Sequence, residues 1–178
     1  MRKFIAAACA ALLACAMMAG AALAGSGARS GSTTASGLDK ESLKTSMEGD
    51  LFEVAGGKLA LHKTHNKSVE NLARTLIKDH TKSYQDTAAV ARTLGVKPET
   101  SPAPSQVWEL QTVAKVSGST FDRWYASLEI YDHKQDIQET TDEVDMGSNP
   151  AVIANAKQDL PMLKKHLRMS QSAYKSIK

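Results

Sequence analysis

The sequence predicts an all-α protein: four long helices in a bundle, with a long crossover between the second and the third. Three observations carry this. Apolar residues recur at helical spacing in four long stretches after residue 38. A proline-rich stretch separates the second from the third, and three of the four carry a histidine while the first carries a glutamate at matching depth.

The first helix is expected over 39–64, where Leu43, Met47, Val54 and Leu61 recur at spacings of 4 and 7 and so share one face. Gly56 and Gly57 interrupt it. Each costs on the order of 1 kcal/mol relative to alanine, so a neighbouring helix is expected to approach closely there. The second helix has Ser68 as its expected cap, and Val69, Ala73, Leu76, Ile77, Tyr84, Ala88, Ala91 and Leu94 form one stripe that ends at Gly95. His80 falls in the middle of that stripe and Asp79 on its flank.

Pro98, Pro102 and Pro104 exclude regular helix and favour an extended course. Ten extended residues at about 3.1 Å each cover roughly 31 Å, comparable to a helix of about 24 residues. The connection can therefore run the length of the bundle and leave helices 2 and 3 parallel, the connectivity of ferritin-like bundles. A short amphipathic turn over 106–116 follows; its Trp108 is expected to act as a lid on the bundle, with contact to a membrane interface as the alternative. The third helix is expected after Gly118, with Ser119 and Asp122 as a capping box, and runs to about residue 145. Asn149-Pro150 starts the fourth, a cap followed by a proline that needs no N–H, and Pro161 within it is expected to introduce a kink.

Residues 1–24 read as an export signal: Arg2 and Lys3, an apolar run from Phe4 to Leu23, and the small-residue site Ala22-Leu23-Ala24. Cleavage after Ala24 would deliver a periplasmic or otherwise exported chain. Leu12-Leu13-Ala14-Cys15 offers lipidation at Cys15 as the alternative, against which the apolar run continues past Cys15. Both cysteines lie in this segment, so the remaining chain has neither thiol nor disulfide and depends on its core for stability. Residues 25–37 are rich in glycine and serine and read as a flexible linker, and 38–178 as one domain.

Without Arg2 and Lys3 the chain holds 20 basic against 19 acidic side chains, about +1, which argues against nucleic acid as a partner. No segment after residue 24 is long and apolar enough to span a bilayer. Protein partners and oligomerisation are left open. No phosphate loop, nucleophile elbow or Cys/His pair is present, so the balance tilts away from an enzyme.

The polar residues on the helices carry the chemistry. Counted from the turn near Asn66, Glu53 and His80 each lie about 13 residues away, which places them in one layer of an antiparallel pair. Counted from Gly147 and Ser148, Glu129 and His166 are level at about 18 residues, with His133 one turn nearer the loop. Glu129 and His133 form an i, i+4 pair that can point at one site. Imidazole with carboxylate suits zinc, copper or iron, so Glu53, His80, Glu129, His133 and His166 are the candidate ligands, with Asp79 and Asp159 as groups that orient them. The spacing departs from the Glu-x2-His pairs of di-iron bundles, since Ile77 and Leu163 stand where the carboxylates would be. The alternative is a layer of hydrogen-bonded structural histidines in a non-enzymatic envelope module that serves stress protection or partner binding. Met162, His166 and Met169 suggest a weaker Cu(I) set, and His62 and His65 are expected to face solvent.

Several short stretches resemble a known family: Phe52-Glu53-Val54 with Gly57-Lys58-Leu59-Ala60, Asp79-His80, Phe121-Asp122 with Tyr125, His133, and Leu160-Pro161 with Leu163 and His166. Their order and spacing are similar to those of the bacterial envelope proteins grouped as domain of unknown function 4142, over about residues 43–174. The resemblance implies an exported, ferritin-like four-helix fold with Glu53, His80, His133 and His166 as its characteristic polar positions. It implies no activity.

Overall fold

The computed structural model describes residues 33–177; the expected export signal and most of the expected linker lie outside them. The described residues form five helices and no strand: α1 (Gly37–Lys63), α2 (Lys67–Thr93), α3 (Pro104–Val113), α4 (Gly118–Met146) and α5 (Pro150–Ser176). The expected third and fourth helices are thus α4 and α5, because the stretch expected as a turn at 106–116 is a helix of its own.

The caps explain where the helices begin. Asn66, not Ser68, caps α2, its side chain accepting from the N–H groups of Ser68 and Val69. The sequence offered two good capping residues two apart, and the earlier one is also fixed by its own N–H, which donates to Thr64 Oγ1 at 3.0 Å. Asn149 caps α5 with Pro150 behind it, as expected. The expected capping box at Ser119 and Asp122 does not form: Ser117 occupies the cap position without a side-chain bond, Gly118 takes a left-handed φ of 58°, and Asp122 is buried. Pro161 sits inside an unbroken α5.

Asp39 ties the start of α1 to the α4–α5 turn. Its carboxylate accepts from Ser36 N–H in the cap of α1 and from Ser148 N–H, Ser148 Oγ and Asn149 N–H at the α4–α5 turn. Burial alone would push this carboxyl up, but the bonds from Ser36, Asn149 and Ser148 outweigh it and hold the pKa well below the usual range.

Packing pairs α1 with α2, α4 with α5, α2 with α5 and α1 with α4. Two apolar clusters sit at opposite ends. One gathers Leu43 and Met47 from the start of α1, Ala88 and Ala91 from the end of α2, and Val152 from the start of α5. The other gathers Ala60, Leu72, Leu76, Val113, Phe121, Tyr125, Ala173 and Ile177, so both α2 and α4 begin there. Burying each large side chain contributes roughly 1.5–3 kcal/mol. Between the clusters the core is mainly polar, with Phe52 and Leu163 as buried apolar side chains that belong to neither.

The apolar spacing in α1 marks a different face from the buried one. Leu43 and Met47 are buried, but Val54 and Leu61 are only partly so; the buried line continues instead through Asp50, Glu53, Gly57 and Ala60. The glycines do admit close neighbours. A Cβ on Gly57 would lie 2.7 Å from Ile77 Cγ1 and 3.0 Å from the Ala73 carbonyl oxygen, and one on Gly56 would lie 3.3 Å from Leu110 of α3. Since the Ala73 oxygen is backbone, α1 and α2 must separate to fit a methyl group. Gly57→Ala is therefore expected to destabilise the protein by about 1–3 kcal/mol despite alanine's better helix propensity, measured by denaturant unfolding.

Candidate metal centre

The polar core layer is built from positions that continue the buried stripe of each helix. On α5, Val152, Ala156, Asp159, Leu163, His166, Ser170 and Ala173 alternate at spacings of 4 and 3, so Asp159 and His166 lie on one line two turns apart. On α2, Leu76, His80, Ser83 and Thr87 do the same. On α4 the line runs through Tyr125, Glu129 and His133, with Asp132 beside it. Glu53, Glu129, His133 and His166 are completely buried and His80 is 1% exposed.

The three histidines converge. One ring nitrogen from each of His80, His133 and His166 lies within 4.8 Å of the other two, and ring centroids are 5.0 to 5.5 Å apart. Each ring is also held from outside: His80 Nδ1 is 2.8 Å from Asp50 Oδ1, His166 Nε2 is 3.0 Å from Asp79 Oδ2, and His133 Nδ1 is 2.8 Å from the Glu129 carbonyl oxygen. An acceptor on one ring nitrogen fixes the proton there and turns the other nitrogen's lone pair inward. The inward nitrogens of His80 and His166 face each other at 3.1 Å, and His133 Nε2 has no hydrogen-bond partner.

Two buried carboxylates stand beside this triad. Glu53 Oε1 is 3.5 Å and Glu129 Oε2 3.8 Å from His133 Nδ1, and none of the four carboxylate oxygens has a hydrogen-bond partner. Glu53, Glu129 and His133 offer ligand atoms within 4.8 Å of one another, as do Glu53, Asp132 and Asp136. Buried polar atoms without partners are rare and costly. So many in one layer could be satisfied together by a cation.

The electrostatics agree with that reading. Burial lowers the histidine pKa values to about 3 for His80 and His133 and about 4 for His166, so all three are neutral near pH 7 and their lone pairs are free. Burial pushes Glu129 up to about 7, and burial with the nearby Glu129 charge holds Glu53 well above the usual carboxylate range. Asp79 goes the other way: burial raises it, but the bonds from His166 and Lys165 bring it below its ordinary value.

A narrow polar crevice of about 30 Å³ reaches the layer, lined among others by Asp50, His80, Asp136 and Asp159. That is room for a water molecule or a bare ion. A far larger groove of about 590 Å³, walled by Trp108, Trp124, Tyr131 and Tyr174, touches none of the candidate ligands. Trp108 is 65% exposed on its rim, so it does not close over the core; Val113 and Leu110 are the residues α3 turns inward.

All five ligand candidates read from the sequence thus meet in one layer. Asp79 Oδ2 lies 3.0 Å from His166 Nε2, while Asp159 lies on the crevice wall and receives a hydrogen bond from Asn155 at 3.0 Å. The sequence reading passed over Asp50, which orients His80, and Asp132. Both carried a signal: Asp50 is seven residues after Leu43 on the buried line of α1, and Asp132 is three residues after Glu129. Met162 lines the crevice, Met169 packs on an apolar cluster, and His62 and His65 are exposed.

Comparisons place the chain among known proteins. No curated protein matches it. A crystal structure of a DUF305 fragment from Deinococcus radiodurans superposes with a TM-score of 0.70 over 80% of this chain and 98% of that one, at 14% identity, a likeness of fold alone. No helix among the described residues is long and apolar enough to cross a membrane. Residues 24–173, nearly all of the helical region, match the family described as domain of unknown function DUF4142, and the chain belongs to that family.

Proposed function

We propose that this is an exported protein whose four long helices form a ferritin-like four-helix bundle, with α3 in a long crossover, and whose polar core layer binds a transition metal ion through His80, His133, His166, Glu53 and Glu129. The fold reading is supported by α2 and α4 both beginning in the same apolar cluster and by the match to the DUF305 fragment. Export rests on the N-terminal sequence. Neutral imidazoles with carboxylates are a donor set for zinc, copper or iron.

One observation carries the metal reading. Three imidazoles, each with its outer nitrogen occupied, turn their remaining nitrogens toward one another beside two buried carboxylates that have no partner. If all three outer nitrogens keep their protons, the inward nitrogens of His80 and His166 present two lone pairs to each other at 3.1 Å, an arrangement that needs a cation between or beside them.

A second reading is favoured by a specific feature. A protonated Asp50, pushed well above its usual range by burial, can donate to His80 Nδ1, His80 Nε2 to His166 Nδ1, and His166 Nε2 to the ionised Asp79, a complete relay that needs no metal. On that reading the histidines are structural. It leaves His133 Nε2, Glu53 and Glu129 unexplained.

The test is metal content and chelator response. Protein made without a histidine tag and reconstituted with zinc, copper or iron is expected to retain about one ion per triad and to melt at a lower temperature in chelator. His133→Ala is expected to lose the ion and the chelator effect together. If wild type and variant melt alike with and without chelator, the histidines are structural.

A further inference from the structure

We propose that the core holds a second cation, a hard divalent ion of the manganese class, at Glu53, Asp132 and Asp136, with Glu53 bridging it to the histidine site. The inference shares Glu53 with the site proposed above and rests on that reading for its bridged form; the second cluster's own donors are separate.

Three carboxylates supply the donors. One oxygen from each of Glu53, Asp132 and Asp136 lies within 4.8 Å of the others. Asp132 and Asp136 are one turn apart on α4, so both project toward α1, where Glu53 stands. A cluster of acids alone would be ordinary. Here Glu53 is completely buried with both oxygens unpartnered, and Asp132, 7% exposed, has Oδ2 unpartnered as well. Among the described residues no lysine or arginine ion pair reaches any of the three.

Mutual repulsion would drive such groups apart unless a positive charge or shared protons held them. Aspartates one turn apart on an exposed face can turn to water; here Asp132 is walled in and only Asp136 reaches the crevice. An all-oxygen donor set selects manganese, magnesium or calcium over the softer ions that suit imidazole. The neighbouring cluster of Glu53, Glu129 and His133 uses the same Glu53 side chain, whose two oxygens can serve a different ion each. Paired ions held by a shared group stand roughly 3.5–4 Å apart. The crevice connects the halves, since His80 of the first and Asp136 of the second both line it together with Glu139 and Asp159, which favour entry of cations.

The experiment uses the full chain, zinc and manganese, and three variants. Wild type preloaded with zinc is expected to take up Mn2+ without releasing zinc, seen as loss of the free Mn2+ electron paramagnetic resonance signal and confirmed by elemental analysis after desalting. The Asp132→Asn, Asp136→Asn double variant is expected to keep zinc and to bind Mn2+ weaker by about tenfold or more. Asp136→Asn alone, at the partly exposed edge of the layer, should weaken Mn2+ in the same direction and serves if the double variant fails to fold. In His133→Ala, zinc is expected to fall while Mn2+ uptake remains. Mn2+ that ignores the wild-type protein, or that binds the aspartate variants as well as wild type, overturns the second site. Wild type that takes up Mn2+ but binds no zinc overturns only the histidine site.

Discussion

Without metal, the protein is expected to lose stability as the pH rises from about 6.5 to about 8, by roughly 1–3 kcal/mol per pH unit, and zinc is expected to reverse the sign of that slope. The histidines oppose this only at the low end of the window: lowered to about 3 to 4 they are neutral in the fold, and in the unfolded chain, half protonated near their ordinary pKa of 6.5, they become mostly neutral as the pH passes 7. The carboxyls decide the outcome. Burial raises Glu129 and Asp159 to about 7 and Asp50, Glu53 and Asp136 well above the usual range. A carboxyl raised in the fold contributes stability that is fully present below its unfolded pKa and is lost as pH rises through the folded one. Each proton held by the fold but not by the unfolded chain is worth about 1.4 kcal/mol per pH unit. Metal binding expels those protons, so affinity increases with pH where the metal-free fold weakens. Thermal midpoints in chelator and in zinc across this range are the measurement. A midpoint in chelator that is flat or rises would mean that the carboxyls are ionised and satisfied without metal.

How much of this was legible depended on whether a residue's role showed in hydropathy. The four long helices were, because Asn149-Pro150, Gly95 and the stripe of α2 are strong local signals. That His80, His133 and His166 share a layer with Glu53 and Glu129, which lie against His133, was readable by counting turns from the loops, since the helical rise is constant. The buried face of α1 was not. Its middle is Asp50, Glu53 and Gly57, and a pattern of apolar residues cannot mark a face whose core positions are acids and glycines. The same blindness hid Asp50 and Asp132, while α3 was obscured by the prolines that do exclude helix up to its first residue, Pro104. Along α1 the apolar code failed where the buried positions are acids and glycines, which hydropathy cannot assign to a core.

That conflict makes Glu53→Leu the most diagnostic substitution. In the metal-free protein at about pH 8, replacing a fully buried carboxyl whose oxygens have no partner by an apolar side chain is expected to stabilise the fold by about 1–3 kcal/mol. The added apolar contacts fall between α1 and α4, where His133 and Glu129 now face an unsatisfied acid. The same variant is expected to lose much of the metal-dependent stabilisation, because Glu53 is common to the Glu53, Glu129, His133 cluster and the all-carboxylate cluster, although the three-histidine group remains. Denaturant unfolding in chelator and in zinc separates the two effects. A structural role predicts the opposite in chelator: if Glu53 accepted a bond that holds α1 to α4, its removal would strand a buried donor and cost stability whether or not metal is present. A variant more stable than wild type in chelator and less stable in zinc therefore distinguishes a ligand kept for binding from an acid kept for folding.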